Sequence, residues 1–456
     1  MKRQISIILG IISLLLTSCG EDRSGEFYAL IEDRIWIEET MSEHYLWYQD
    51  MPQIENENEY FQTPENFFKK LLSKEAINGQ SDKYSYMEKT NSAETRSIML
   101  DRSSTYGIEF ILTTDPTGTT NHTYARVLYT LPGSPAETAG IQRGDWISAI
   151  NDQRITNDNY TLLMKGGSLS LTVNYMAENE KTWQKTETVS LPSSINMEIN
   201  PFFVDTLYNI DEKKIAYLMY NDFSTGPNNE ASENVYLEQM KQIFKRFKTQ
   251  SPNALILDLR YNSGGYLQCV QMLGSLIAPT SALGKNFLTL TFNDKTIPQT
   301  IHYALDSQYA DANLNLDKVY ILTSHLTASA SEALINGLVP YMGSENVVLI
   351  GTKTEGKNIA MEAYSNDTYG LTLWPAVAYV SNADGESNYS QGFTPQYNLN
   401  EFNINPWYPL GDTREFLLKN TLSLITQGVL PYNVKAYELD TEMLTSSIIP
   451  KNIPIH

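Results

Sequence analysis

Cysteine is nearly missing from this sequence of 456 residues, which has only Cys19 and Cys269. A framework of disulfides is therefore excluded. Cys269 lies in the apolar run from Leu267 to Ile277 and reads as a small core residue. Histidine is scarce as well, and His44, His122, His302, His325 and His456 are the whole supply of imidazole bases. Positive charge is in deficit, with 33 Lys and Arg against 53 Asp and Glu and a formal net charge of −20. Such a chain repels phosphate backbones, which argues against nucleic acid as a partner, and it suits a solvated surface. The apolar stretch at the amino terminus, Ile5 to Leu16, is too short to span a bilayer comfortably. What remains, 41% hydrophobic and 19% charged residues, is a globular composition long enough for two or three domains.

Lys2 and Arg3 precede that apolar stretch, and Leu16-Thr17-Ser18-Cys19 follows it. The arrangement resembles the bacterial lipoprotein signal, in which the cysteine is acylated and becomes the first residue after cleavage. The resemblance implies that residues 1–18 are removed and residues 19–30 form a tether. Cys19 would then carry a lipid that anchors the protein in the bacterial cell envelope, facing the periplasm or cell surface, without spanning the membrane.

Residues 31–95 read as a helical region, with Ile37, Met41, Tyr45 and Tyr48 at helical spacing and a second helix opening at Thr63-Pro64. Within it, "SDKYSYM" (Ser81 to Met87) shows no chemistry by composition. Residues 100–195 contain "LPGSPAETAGIQRGDWISAIND", in which Pro135 and Gly140 frame a short helix over Ala136–Ala139 and Trp146–Ile150 alternates as a strand. This stretch resembles the core of a PDZ domain. The resemblance puts "YGIEFIL" in the loop and strand that receive a peptide, with Gly107, Ile108, Glu109 and Phe110 as the binding residues. Such domains add an extended peptide to a sheet edge and capture its carboxylate with backbone amides. Gly107 would let that backbone come close.

From 196 to 430 the pattern turns α/β. Ile215–Tyr220, Ala254–Leu259, Val319–Thr323 and Val347–Ile350 read as strands, and Glu230–Phe247 as a helix with Val235, Met240, Ile243 and Phe247 on its apolar stripe. Strand, turn and helix repeat, so an open, mixed or parallel sheet with helices on its faces is expected. Sites form beyond the carboxyl ends of such strands.

"LTASASEALINGL" (Leu326 to Leu338) stands at one of those ends. Thr327 or Ser329 can cap the helix that follows, with Glu332 bonding back if Ser329 is the cap. Ala328 and Ala330 also leave room around a serine hydroxyl, and the first free amides of the helix, Ala330 among them, can hold an oxyanion. Gly264 or Gly265, in the turn "NSGG", can bring a second donor. A nucleophilic serine needs a base. His325 is near in sequence, and Lys353 and Lys357 share the loop "GTKTEGK".

Together these elements resemble the S41 family of serine peptidases, the carboxyl-terminal processing or tail-specific proteases. The resemblance rests on "DLRYNSGG" (Asp258 to Gly265), "TASASE" (Thr327 to Glu332) and the lysine loop Gly351 to Lys357. It implies a multidomain α/β protein: a helical amino-terminal region, a PDZ-like β-rich domain, a peptidase core with an open mixed sheet of ClpP/crotonase-like kind, and a tail over 431–456. It further implies Ser329 as nucleophile, Lys357 as base, an oxyanion hole from Ala330 with Gly264 or Gly265, and no metal or cofactor. The substrates would be peptides or proteins with free carboxyl termini. "SDKYSYM" resembles the family's stretch ahead of the PDZ domain, and "YSQGFTPQYNL" and "LGDTREFLLKNTL" its closing turn and last helix. One position departs: where many members carry a glutamine four residues after the lysine, this chain has Met361. A dyad is thus expected in place of a triad. The alternative is a lipoprotein scaffold of the same fold that binds peptides without cutting them.

Overall fold

The computed structural model describes residues 24–77, 79–89, 104–177, 180–228, 230–430, 437–438 and 441–448. The expected signal, with Cys19, lies outside the described residues.

Helix α1, Ser24–His44, begins inside the expected tether and stops before Tyr45, so Tyr48 falls in a separate turn of 3₁₀ helix. Helix α2, Pro64–Leu71, starts as its sequence dictates: the Thr63 hydroxyl accepts from Asn66 N–H and Pro64 needs no donor. Ile37 and Met41 pack on Phe67, Phe68 and Leu71, and the cluster continues onto Ile359, Met361, Leu371 and Leu373 from far along the chain. Burying each large apolar side chain is worth roughly 1.5–3 kcal/mol. Strand β1, Tyr86–Lys89, pairs antiparallel with residues 371–374, so this region is sewn into the α/β part of the chain.

The next sheet holds β2 (Ile108–Thr114), β3 (Thr123–Thr130), β4 (Trp146–Ile150), β5 (Leu169–Met176) and β6 (Trp183–Leu191), paired in that order and all antiparallel. Helix α3, Pro135–Thr138, is capped by Ser134, whose hydroxyl accepts from Glu137 N–H.

The third unit opens with the hairpin β7 (Phe202–Ile210) and β8 (Lys213–Tyr220). Helix α4, Val235–Thr249, starts later than expected, and Val235 is exposed; the buried face is Tyr236, Met240, Ile243, Phe244 and Phe247. Strand β9, Ala254–Asp258, is followed by α5, Leu267–Ile277, which carries the buried Cys269. Then come β10 (Asn286–Phe292), β11 (Thr300–Ala304), β12 (Val319–Thr323), α6 (Ala330–Met342) and β13 (Val347–Gly351). Strands β14 (Ile359–Met361), β15 (Tyr364–Asn366), β16 (Leu371–Trp374), β17 (Ala376–Asn382) and β18 (Tyr397–Asn398) lead to α7 (Phe416–Gln427). The central sheet runs β18-β13-β12-β9-β8-β7, parallel except for the β7 edge. A second sheet, β11-β10-β17-β14, is antiparallel. The tail is not simply loose: β19, Met443–Ser446, returns to pair with β2.

A buried ion cluster joins the β2–β6 unit to the α/β unit. Arg260 binds Asp258, Glu401 and Glu415, all within 2.7–3.1 Å. Arg143, from the turn before β4, reaches Glu401 at 2.7 Å and Tyr261 Oη at 2.7 Å. The two arginines hold the Glu401 carboxyl well below the usual carboxylate range, against the pull of burial.

Candidate active site

The parallel strands bring three segments together at their carboxyl ends. β9 leads into the turn 259–265, β12 into the serine segment 324–329, and β13 into the lysine loop 352–357.

Ser329 sits at the mouth of α6 with φ 60° and ψ −117°. That left-handed backbone is costly for a residue with a Cβ, by roughly 1–3 kcal/mol, and persists only where its surroundings enforce it. Here the first two segments are laced together. Ala328 N–H and the Ser331 hydroxyl both donate to Asn262 C=O, at 3.2 and 3.0 Å, and the Thr327 hydroxyl donates to Leu259 C=O at 2.9 Å. Ser329 is fully buried, and its hydroxyl has no hydrogen-bond partner among the described residues. The Glu332 half of the capping box is made, since Ser329 N–H donates to Glu332 Oε2 at 2.9 Å. The hydroxyl is therefore held in place and left uncommitted, as a nucleophile must be.

Lys357 is buried to 1% exposure. Burial pulls its pKa from the usual 10.5 to about 7, with Asp82, Glu332 and Glu355 pulling weakly back up. Its Nζ lies 5.2 Å from the centre of the Tyr84 ring. The same Glu332 Oε2 that accepts from Ser329 N–H accepts from Lys357 N–H at 2.8 Å, and Oε1 accepts from Thr354 Oγ1 and Gly356 N–H at 2.6 and 2.7 Å. One carboxyl group thus ties the serine segment to the lysine loop. "YSQGFTPQYNL" braces that loop from behind: Phe393 N–H donates to Thr354 Oγ1 at 2.7 Å, and a Cβ at Gly356 would meet Ser390 C=O at 2.5 Å. Glu415, from "LGDTREFLLKNTL", caps α7 through Leu418 N–H and binds Arg260.

The rival bases stand elsewhere. Lys353 is exposed. His325 packs on the Phe402 ring, its Nε2 lies 2.7 Å from Met443 Sδ, and burial pushes its pKa down to about 4. Met361 is fully buried in the apolar cluster under α1 and α2.

Gly264 faces Ser329. A Cβ there would lie 2.7 Å from Ser329 Cβ. Its own N–H is taken by Asn262 Oδ1 at 2.9 Å, so of the two glycines offered as donors Gly264 is already committed. Gly265 lies in a parallel bridge with Phe223, made by Phe223 N–H to Gly264 C=O and Tyr266 N–H to Phe223 C=O. In that bridge the N–H of Gly265 itself points away from Phe223. Gly264→Ala, strained at φ +117° and pressed against Ser329 Cβ, is expected to lower the melting temperature and, in the protein still folded at the assay temperature, to cut the rate of Ser329 acylation at least tenfold, measured side by side with a serine-reactive probe. Unchanged acylation would separate this turn from the site.

The residues of "YGIEFIL" serve differently from the expectation. Gly107 has φ +76°, but a Cβ there would strike Ser134 Cβ at 2.2 Å, and its N–H donates to Thr105 Oγ1 at 2.9 Å. Glycine is required for packing against the cap of α3. Ile108 and Phe110 are buried in the core of their own unit, and Glu109 accepts from the Ser447 hydroxyl at 2.6 Å. What this strand offers a peptide is its backbone edge.

Sequence reasoning missed three contributions. Glu332 was visible only as a cap, and its bonds to the lysine loop span more than 20 residues. "SDKYSYM" supplies Tyr84 beside Lys357 and Asp82, whose carboxylate accepts from the Tyr45 hydroxyl and from Tyr84 and Ser85 N–H. The Arg143 link crosses between units, and nothing local signals it.

Compared with known families, the description "Peptidase family S41" matches residues 214–399, "Peptidase S41 N-terminal domain" residues 34–86, and "PDZ domain" residues 126–173. A carboxyl-terminal-processing protease of Picosynechococcus sp. is 29% identical over 240 residues, 52% of each chain. The carboxy-terminal processing protease CtpA of Bacillus subtilis is 26% identical over 274 residues, 58% of this chain and 51% of its own. The chain thus spans about half the length of these curated relatives. The crystal structure of a Bacteroides fragilis protein described as an S41 protease aligns at TM-score 0.72 and 32% identity, covering 86% of this chain and 97% of that one. On this likeness, which extends over nearly the whole solved chain, the protein belongs to peptidase family S41.

Proposed function

We propose that the chain is a serine endopeptidase that cuts peptide bonds near substrate carboxyl termini with a Ser329/Lys357 dyad. The observation that carries this reading is Lys357: its burial brings its pKa to about 7, and it shares the Glu332 carboxyl with the segment of Ser329. A lysine in that state is neutral for much of the time near pH 7, which a base must be. Neutral Nζ takes the proton from Ser329 Oγ as the oxygen adds to the scissile carbonyl. The amides of Ala330 and Gly265 receive the oxyanion. The ammonium then returns its proton to the leaving amine, and water hydrolyses the acyl-enzyme. The names of the Picosynechococcus and Bacillus relatives support carboxyl-terminal processing as the task.

A fluorophosphonate probe tests the nucleophile. Covalent labelling of the parent and none of Ser329→Ala is expected. Equal labelling of both would move the nucleophile elsewhere.

The same reading includes a lipid on Cys19, supported by Lys2-Arg3 and the Leu16–Cys19 box. Among the described residues no helix is long and apolar enough to cross a membrane. Cys19→Ser is expected to shift the protein from the membrane fraction to the soluble fraction, or to leave the precursor uncleaved. A mature-sized band that still sediments with membranes would remove the anchor.

A further inference from the structure

The β2 edge opposite β3 is occupied. β19 lies antiparallel on it, with Thr113 opposite Met443, Leu112 opposite Thr445 and Ile111 opposite Ser446. Beyond β19 the contact continues: Ser447 N–H donates to Phe110 C=O at 2.9 Å, and the Ser447 hydroxyl accepts from Phe110 N–H at 2.8 Å. As residue number rises from 443 to 447, the segment advances along β2 towards Gly107. A peptide whose carboxyl end approaches the loop before β2 would run in this direction, bonded to this edge.

The occupant is weakly built. β19 is four residues long, its register slips between Leu112 and Thr113, and Leu444 is 43% exposed. Serine and threonine hydroxyls supplement its short backbone ladder, as where Glu442 N–H donates to Thr114 Oγ1. Its apolar contacts reach the peptidase core. Met443 touches His325, four residues before the nucleophile, and Ile448 lines the cleft that also holds Asn221, Tyr261 and Ser263, beside the glycine turn.

We propose that the β2 edge is an exchange site: residues 441–448 hold it in the resting chain, and an extended peptide with a free carboxyl end takes it by displacing them. Displacement draws Met443 from His325 and Ile448 out of the cleft it lines with Tyr261 and Ser263, so docking at the edge disturbs the packing next to the glycine turn that faces Ser329. The proposal rests on the reading of β2 as the edge that receives substrate.

The test is a binding measurement in the Ser329→Ala chain, where nothing is cut. The probe is the octapeptide Thr-Glu-Met-Leu-Thr-Ser-Ser-Ile, with fluorescein on its amino end and a free carboxylate, followed by anisotropy. Apparent affinity scales with the fraction of chains whose edge is open. Ser447→Pro removes an amide donor and the hydroxyl from the resident segment, so the probe is expected to bind at least about tenfold tighter, with Ser447→Ala giving a smaller change of the same sign. In a chain carrying Ile111→Cys and Ser446→Cys, paired residues close enough for a disulfide, oxidation is expected to abolish binding and reduction to restore it. Equal affinity in the parent and both Ser447 variants, or binding that survives the crosslink, overturns the exchange. The oxidised and reduced forms are one protein, so that comparison decides even if Ser447→Pro melts early. Fluorophosphonate labelling of the parent is read separately: its failure would count against the peptidase, while the binding result would stand.

Discussion

Lys357→Arg is expected to lose peptide turnover by about 10²–10⁴-fold, the usual worth of a positioned general base, and to melt below the parent, because a bulkier group that cannot shed its charge is buried there. A guanidinium keeps its proton throughout this pH range, so it cannot accept one from Ser329. In the parent, kcat/KM is expected to rise with pH through about 7 and then level, because the working form is the deprotonated amine. The same shift has a sign for stability. The folded pKa of Lys357 lies below its unfolded value of 10.5, so the unfolded chain binds more protons between about pH 7 and 10.5. Stability from this group therefore rises with pH across that window, and at neutral pH the buried lysine costs the fold a few kcal/mol. Lys357→Met, similar in length and uncharged, should then melt higher than the parent while being inactive. Asp82→Asn removes the negative charge that does most to hold a proton on Lys357, and the rising limb of the pH profile should move to lower pH. A Lys357→Arg enzyme that still turns over peptide would sink the dyad and return His325 to consideration, despite its place against Phe402 and Met443.

Chemistry confined to a short stretch was legible in the sequence only in part. In "TASASE" the small neighbours and the helix start are local properties, but they suit a capping serine as well as a nucleophile, and "EGK" by composition is an ordinary loop; only the resemblance to the S41 family singled out Ser329 and Lys357. Strands β9, β12 and β13 were legible as apolar runs because a strand buried on both faces cannot alternate. What escaped depends on distant partners. Val235 fits the period of the α4 stripe, yet the helix turns Tyr236 and Phe244 inward, which only packing against its neighbours decides. Gly107 was expected to serve a ligand, and it serves Ser134, 27 residues away. The order of β19 beside β2 joins residues more than 300 apart, and its Thr-Ser-Ser sequence carries no strand signal strong enough to find it. Asp82 and Tyr84 looked inert because their partner, Lys357, is reached only when the helical region folds onto the peptidase core.

Glu332→Gln is expected to lower kcat by about 10–100-fold while changing KM little, because the residue positions the dyad without touching substrate. Each Glu332 oxygen accepts two hydrogen bonds, from Ser329 and Lys357 N–H on one side and from Thr354 Oγ1 and Gly356 N–H on the other. An amide has one oxygen to offer. Its NH₂ must face either two backbone N–H groups or one N–H and a hydroxyl, and on the first side neither donor can turn away. The strained backbone of Ser329 then loses the acceptor that helps hold it, and the lysine loop can drift from the nucleophile. Burial raises the Glu332 pKa to about 7 while its four hydrogen bonds pull it down. Glu332 and Lys357 are therefore both brought near neutrality by burial. Removing the Glu332 charge takes away one of the groups that stabilise the Lys357 ammonium, so in Glu332→Gln the rising limb should also move to lower pH. Purely structural damage would lower the plateau and leave the limb where it was. A drop in kcat together with an acid-shifted limb is the signature of one carboxyl group that both places the two reacting residues and tunes the base, and full activity with an unmoved limb would show that neither task is its own.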